Sequence, residues 1–371
     1  MRGRRRPEPG EPEGGSIAKL LLPTLYDTRG GSTRVLLAAA DALRREHAVT
    51  VRAPLAEADE ATPARFPSRP LAGTVAKLAL LPRLARLVVA ETLALRRLRP
   101  DLIHVHDEPS LYVYGVAARL VRPRPTVLWH LHAGAGRGWA ARLRARLADA
   151  CIVISPHVAQ PAGLPCWLVR NPLGPPGPAR PPAAPGVPGI AVIGALGLRK
   201  GQDVAVEALA VLRQLPGGET ARLTLIGPAL DAAFARTLRA RIAVLGLDQA
   251  VTFAGERAPD RAFDGVGLVL CPSRSETQPL ALAEALARGL PVVASDIPAH
   301  RAMLADAGGN GDDLCPLDAH ACAHALLTAA QRPPPPERAA RIQTLFEQDR
   351  FDRALRDVLG SLAAQCPRSR L

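Results

Sequence analysis

Aromatic residues are scarce in this chain: three Trp, three Tyr and six Phe occur among 371 residues. Leu, Val and Ala must therefore fill its cores. The scarcity also weakens the reading that a formal net charge of +13 invites. Nucleic-acid binders interleave basic stripes with aromatics, and neither such a stripe nor zinc-finger spacing occurs, so no nucleic-acid partner is expected. The excess cations suit an anionic small molecule or an anionic membrane face. Runs of about 18 apolar residues are absent, which argues against a membrane-spanning helix. The cysteines (Cys151, Cys166, Cys271, Cys315, Cys322 and Cys366) form no C-x-x-C pair and no metal-ligand spacing. They are expected to be buried, reduced thiols of a cytoplasmic protein. No apolar stretch of signal-peptide type follows the basic start MRGRRRPEPGEPEGG, so residues 1–15 read as a disordered basic tail.

Strand-like and helix-like runs alternate through the rest. IAKLLL (17–22), AVTVRA (48–53), DLIHV (101–105), TVLWHL (126–131), ACIVI (150–154) and CWLV (166–169) are separated mostly by helical patterns. This alternation predicts a parallel sheet with helices on both faces. Residues 173–188 are dense in proline and glycine and read as a linker. The alternation then restarts with IAVIGA (190–195), RLTLIG (222–227), VTFAG (251–255), VGLVLC (266–271) and PVVAS (291–295). The expected organisation is an α/β domain over 16–172, the linker, a second α/β domain over 189–335, and a terminal helical segment over 336–371. Two such domains leave a cleft, and ligands of parallel sheets bind beyond the carboxyl ends of the strands.

Several stretches place chemistry at those ends. In IGALGLRKGQD, Lys200 lies among Gly194, Gly197 and Gly201, where it is either a point charge for phosphate or a solvent lysine on a tight turn. Gly30 and Gly31 open a helix whose free amides could bind an anion, although Ser32 as an N-cap explains the motif equally. His104 and His106 end one strand, and His130 and His132 another; with a period of two, each pair points to one face. They are structural histidines or ligands. A metal would need further ligands, and Asp27, Asp107, Asp296 and His300 stand at unhelpful spacing, so no metal is expected.

In SRSETQPLALAEALARGLPVVASD (273–296), Glu276 precedes a helix that carries Glu284. A capping box from Ser273 to Glu276 and an i, i+4 pair of Glu284 with Arg288 would be helix-end chemistry. Alternatively, Glu284 accepts from a ribose diol, the amides of Gln278 and Leu280 meet phosphate, and Glu276 reaches beyond it. Residues 77–99 hold Lys77, Arg83, Arg86, Arg96, Arg97 and Arg99 against one acid, Glu91. They read as a helix that either has a solvated face or lies on an anionic membrane.

Together these residues resemble glycosyltransferase family 4, retaining enzymes with the GT-B fold, in which two Rossmann-like parallel-sheet domains face each other across a cleft. SETQPLALAEALARGLPVVASD resembles the family's E-x7-E signature, and GALGLRKGQDVAVEAL its glycine–lysine loop. RGGSTRVLLAAADAL, PDLIHVHDEP and VLWHLH are similar to its first loop and its histidine strand ends, so the likeness covers about 17 to 330. The resemblance implies a UDP- or GDP-sugar donor, a glycan, lipid-linked or small-molecule acceptor, and no cofactor. It implies that Glu284 binds ribose and Glu276 the donor sugar. Lys200, helped by Arg199 and by the amides at Gln278 and Leu280, would hold the diphosphate. Gly30 and Gly31 would let the first domain's loop approach the reacting centre, and His132 would sit beside the transferred carbon. Lys200, Glu276 and His132 are thus the catalytic candidates, with His104, His106 and His130 on the acceptor side. A peripheral place on the inner membrane face, through 77–99, fits the same picture. Two departures stand out: Ala195 where the family often has Arg, and Thr277-Gln278-Pro279 where it often has Gly-Phe-Gly. The alternatives are a non-catalytic nucleotide-sugar-binding protein and a metal-dependent hydrolase built on the H-x-H pairs.

Overall fold

A computed structural model describes residues 18–26, 31–62, 81–134, 136, 138–174, 189–258 and 261–365. The basic tail 1–15, Asp27, Gly30, Lys77, most of the linker and Cys366 lie outside the described residues.

The first domain is a seven-stranded sheet in the order β3-β2-β1-β4-β5-β6-β7. Its strands are β1 (Lys19–Pro23), β2 (Ala48–Ala53), β3 (Glu60–Ala61), β4 (Leu102–Val105), β5 (Thr126–Leu131), β6 (Ala150–Val153) and β7 (Cys166–Leu168). Helices α1 (Gly31–Leu43), α2 (Leu81–Leu98), α3 (Glu108–Ala117) and α4 (Trp139–Leu147) connect them. The second domain is a six-stranded sheet in the order β10-β9-β8-β11-β12-β13. It contains β8 (Ile190–Ile193), β9 (Leu223–Ile226), β10 (Val251–Gly255), β11 (Leu268–Cys271), β12 (Val292–Ser295) and β13 (Leu314–Cys315). Its helices are α5 (Gln202–Leu212), α6 (Ala232–Val244), α7 (Leu280–Ala287), α8 (Pro298–Asp306) and α9 (Ala319–Gln331). The strand pairs are parallel in both sheets. In each sheet the order reverses beside the first strand, between β1 and β4 and between β8 and β11. Such switch points open a crevice at the strands' carboxyl ends. The two α/β domains of the GT-B architecture are thus present.

Apolar clusters cover both faces of each sheet, in keeping with the near-continuous apolar strands. The terminal segment forms two helices where one was expected. α10 (Pro336–Leu345) stays on the second domain, where Ile342 and Phe346 join its core. α11 (Gln348–Gln365) crosses to the first, laying Phe351, Leu355 and Leu362 against Leu36 and Ala39 of α1. The break between them lets each helix bury its apolar stripe on a different domain.

Two of the cysteines depart from the reduced state expected of them. Parallel pairing sets Cys151 opposite Cys166 on β6 and β7, their Cα atoms 4.8 Å apart, and the two form a disulfide. Cys271, Cys315 and Cys322 are free and buried. Among the described residues no helix is long and apolar enough to cross a membrane.

Glu91, the single acid of the basic segment, is fully buried on the sheet side of α2. It accepts from Arg52 Nε at 2.7 Å and from Tyr114 Oη at 2.6 Å. Arg52 also donates to Glu60, and Glu60 accepts from Arg97. The acid therefore ties α2 to β2 and α3 and leaves the outer face of α2 to arginines and apolar side chains. Glu91→Ala leaves the buried Arg52 guanidinium with Glu60 as its one remaining carboxylate among the described residues, and a loss of about 3 kcal/mol is expected. A lowered midpoint for the first domain's transition in urea checks this; an unchanged midpoint contradicts it.

Candidate functional site

The second domain's crevice is assembled around three glycines. β8 runs into Gly194 (φ +144°), and a Cβ there would sit 3.1 Å from Lys200 Cε. A single 3-10 turn, Leu198–Lys200, ends at Gly201 with φ +72°. A Cβ on Gly201 would come 1.8 Å from the carbonyl oxygen of Pro272, so only glycine lets this turn press against the loop after β11. A Cβ on Gly227 would lie 2.2 Å from the carbonyl oxygen of Gly194. Gln202, fully buried, braces the loop by donating to Ala195 O and accepting from Gly197 N. Arg274 spans Asp203 and Leu198 O on the outer side.

This packing brings both cations onto one carboxylate. Lys200 Nζ donates to Glu276 Oε1 at 2.6 Å, Arg199 donates to Oε2 at 2.8 Å, and Ser273 Oγ donates to Oε1 at 2.8 Å. Burial alone would raise the Glu276 carboxyl; Lys200 first, then Arg199 and Ser273, hold it below the usual range. Adjacent residues in a regular strand or helix point apart, and the 3-10 turn is what turns Arg199 and Lys200 together. The predicted capping box does not form: Glu276 lies outside α7, and Ser273 donates to its side chain instead.

Helix α7 starts at Leu280 after Pro279. The Leu280 amide, expected to face phosphate, donates to Gln278 O at 2.9 Å in this structure. The Gln278 side chain crosses to the first domain, accepting from Asn171 N and donating to Asn171 O. The predicted Glu284–Arg288 ion pair is also absent. Arg288 donates to the backbone carbonyl of Glu284 at 2.9 Å and lays its guanidinium 4.3 Å from the Phe263 ring centroid. Among the described residues no donor bonds the Glu284 carboxylate. Burial raises that carboxyl above its ordinary value, opposed by Arg34, Arg288 and Lys200. Arg34 belongs to α1, one turn beyond Gly31, so it meets Glu284 from the other domain. The sequence reading missed Arg34 and Asn171. Arg34 follows Gly31 by three positions at a helix start, a signal that was available.

The first domain's contribution is a group of histidines. His104 pairs with Leu128 and Val105 with Trp129 across β4 and β5. Alternation then sends His104, His106, His130 and His132 to one face. Ring centroids of His104 and His106 lie 4.3 Å apart, His106 and His130 4.7 Å, and His130 and His132 4.5 Å. His106 Nδ1 is 3.1 Å from His132 Nε2. His104, His106 and His130 are buried. Both ring nitrogens of His104 and His130, and Nε2 of His106, have no hydrogen-bond partner, at a cost of about 1–3 kcal/mol for each orphaned group. Burial holds all four rings neutral: His104 and His132 are pushed down to about 3, and His106 and His130 well below the usual range. Three of these rings could hold a metal ion together, although the sequence, whose H-x-H pairs raised a metal reading, led to none being expected. The other candidate ligands are engaged elsewhere. Asp107 caps α3 by accepting from Ser110 N and Oγ, Asp296 pairs with Arg301, and His300 bonds Ser295. Asn171, whose backbone meets Gln278, has its side chain near His130, with no hydrogen bond between them. Gly31 begins α1 on the same side of the cleft, with open space where a Cβ would stand.

The two halves of this crevice have known counterparts. Residues 187–332 match the family model described as glycosyl transferases group 1. Residues 29–161 match that of Glycosyltransferase Family 4. The chain falls in the GT-B glycosyltransferase superfamily. No curated protein matches it in sequence. Among solved structures, HepE of Anabaena in complex with UDP and glucose is similar at TM-score 0.69 and 20% identity, over 93% of this chain and 100% of that one. Sucrose-phosphate synthase from Thermosynechococcus elongatus is similar at TM-score 0.70 and 20% identity, over 94% and 100%. The lipopolysaccharide outer core galactosyltransferase WaaB in its apo form is similar at 0.67 and 17%, over 92% and 99%. At these identities the likeness is one of fold.

Neutral buried histidines make stability depend on pH. The unfolded chain takes up protons below about 6.5 while the folded rings do not, so stability falls as pH drops from about 6.5 towards 3. Each deeply buried ring contributes up to about 1.4 kcal/mol per pH unit. With chelator present, Tm should fall steeply between neutral pH and acid, and His130→Gln should flatten the slope. An unchanged slope in that variant contradicts the assignment.

Proposed function

We propose that the chain is a retaining glycosyltransferase of the family 4 type. It would move a hexose or related sugar from a UDP- or GDP-sugar to a hydroxyl of a glycan, lipid-linked or small-molecule acceptor. The observation that carries this reading is the convergence of Lys200 and Arg199 on Glu276 at the switch point of the second sheet. A diphosphate entering there meets both cations and displaces the carboxylate, which turns to the sugar hydroxyls. Arg199 thereby supplies the second charge that Ala195 lacks. Glu284 accepts from the ribose hydroxyls. HepE, a structural neighbour, holds UDP-glucose, which makes UDP-sugars the first donors to try.

In the reaction, the bond from the anomeric carbon to the phosphate oxygen breaks and its electron pair leaves with the diphosphate. Lys200 and Arg199 stabilise that growing charge in a cleft where such contacts are strong. The acceptor oxygen bonds the anomeric carbon on the face the phosphate leaves, and its proton passes to a phosphate oxygen. Lys200, Glu276 and His132 are the residues we place at the reacting centre. No metal takes part in the transfer. A non-catalytic binder is the second reading, and Ala195 is the feature that favours it.

We also propose that the first domain rests on an anionic membrane in the cytoplasm. On α2, Val89 and Leu93 are 62% and 59% exposed, with Arg86 and Arg96 exposed within one helical turn of them. Val89→Ser with Leu93→Ser should reduce co-sedimentation with phosphatidylglycerol vesicles; equal binding by variant and parent contradicts this contact.

For the site itself, Lys200→Ala should lower kcat by about 100-fold or more, with a much smaller loss of UDP affinity, because the contact strengthens as charge develops. Glu284→Ala should weaken UDP or GDP binding by about 10- to 100-fold, since it removes charged hydrogen bonds. Initial rates and thermal shifts measure both. Unchanged kinetics in the lysine variant would falsify the assignment.

A further inference from the structure

We propose that His104, His106 and His130 form a binding site for a divalent transition-metal ion of the zinc, cobalt and nickel class, oriented by His132. One ligating nitrogen from each ring falls in a group whose atoms all lie within 4.8 Å of one another. Metal–nitrogen bonds of about 2.0–2.1 Å set tetrahedral ligands roughly 3.4 Å apart, so the rings close on an ion by shifts on the order of 1 Å.

The hydrogen bonding selects the ligand atoms. His106 Nδ1 is engaged by His132 Nε2 at 3.1 Å, while His106 Nε2 is buried without a partner. His132 thus fixes the ring and leaves Nε2 to bind, the arrangement in which an outer group orients a ligand. Both nitrogens of His130 are buried and unpartnered, and the Asn171 side chain stands near that ring. Both nitrogens of His104 are buried and unpartnered as well.

The chemistry of the set selects the ion. Among the described residues no carboxylate bonds these rings, and Asp107 is turned to Ser110. Neutral imidazoles expose lone pairs and suit zinc, cobalt, nickel or copper, whereas magnesium and calcium take oxygen ligands. The ion is therefore not one that a diphosphate brings. His132, beside the three rings, is the half-buried member of the group. Ordered water is the rival partner for the same nitrogens, and a binding experiment decides between them.

Tag-free full-length chain is stripped with chelator and titrated with Co2+, then Zn2+, at neutral pH. The expected result is one equivalent of cobalt per chain, the visible absorption of low-coordinate Co2+, and its displacement by zinc. His320 and His324 form an exposed i, i+4 pair on α9, so the His320→Ala/His324→Ala variant serves as the control and should bind as the parent does. His104→Gln and His130→Gln, their folding checked by circular dichroism, should each weaken binding by about 100-fold or more, and His132→Asn by about tenfold. The proposal is overturned by a parent chain that takes up neither metal stoichiometrically, by loss of binding in the surface-pair variant, or by unchanged affinity in a folded glutamine variant. If the glutamine variants do not fold, the parent and the surface-pair control still decide. None of these readouts requires sugar transfer, so this proposal and the glycosyltransferase reading fail separately.

Discussion

The second domain's side of the cleft depends on one close approach, that of the turn at 198–201 to the loop after β11. Gly201 makes it possible by having no Cβ to strike Pro272. From that contact follow the direction of Lys200, the alignment of Arg199 beside it, and the capture of Glu276 between them. Ser295 holds the Ser273 carbonyl, and Ser273 in turn donates to Glu276. The carboxylate is thus fixed from two sides before any ligand arrives. Charges held in place beforehand need no reorganisation when the leaving group develops its own charge.

The first domain is coupled to this arrangement through few atoms. Asn171 bonds the Gln278 side chain through its backbone N–H and carbonyl. Arg34 faces Glu284, and Arg170 pairs with Asp306 at 3.0 Å. Helix α11 adds a broad apolar tie at the far end of the chain. The polar contacts cluster at the cleft and the apolar tie lies away from it. That division suits a protein whose halves close on a ligand and part again, since polar contacts exchange with water more readily than buried leucines do.

Much of this was legible in the sequence because it rests on local signals. Apolar runs of four to six residues, broken by helical patterns, located all the strands except the two-residue β3 and β13, and the proline-rich stretch was read as the linker. Lys200 was singled out because it follows a strand among glycines, and Glu276 because it stands just ahead of a helix; the structure sets the two in contact. Contacts made by chain segments far apart were not legible. Arg34 reads as a surface arginine until α1 is placed opposite α7. Glu91 reads as a solvated acid until β2 brings Arg52 beneath it. Cys151 and Cys166 look unpaired until β6 and β7 lie side by side. The histidines were seen as two pairs, but their fusion into one buried group required the register of β4 on β5. The terminal helix was read as one because its pattern shows no strong break where the chain changes domains.

The central claim is that the Lys200–Arg199–Glu276 cluster receives the diphosphate of a sugar nucleotide and releases it. It is tested most directly by incubating the full chain with a panel of UDP- and GDP-sugars and measuring nucleoside diphosphate release, with and without hydroxyl acceptors. The account predicts release from at least one donor, increased by acceptor and abolished in Glu276→Ala. Nucleotide binding without release from any donor would contradict it and leave a binding protein in its place.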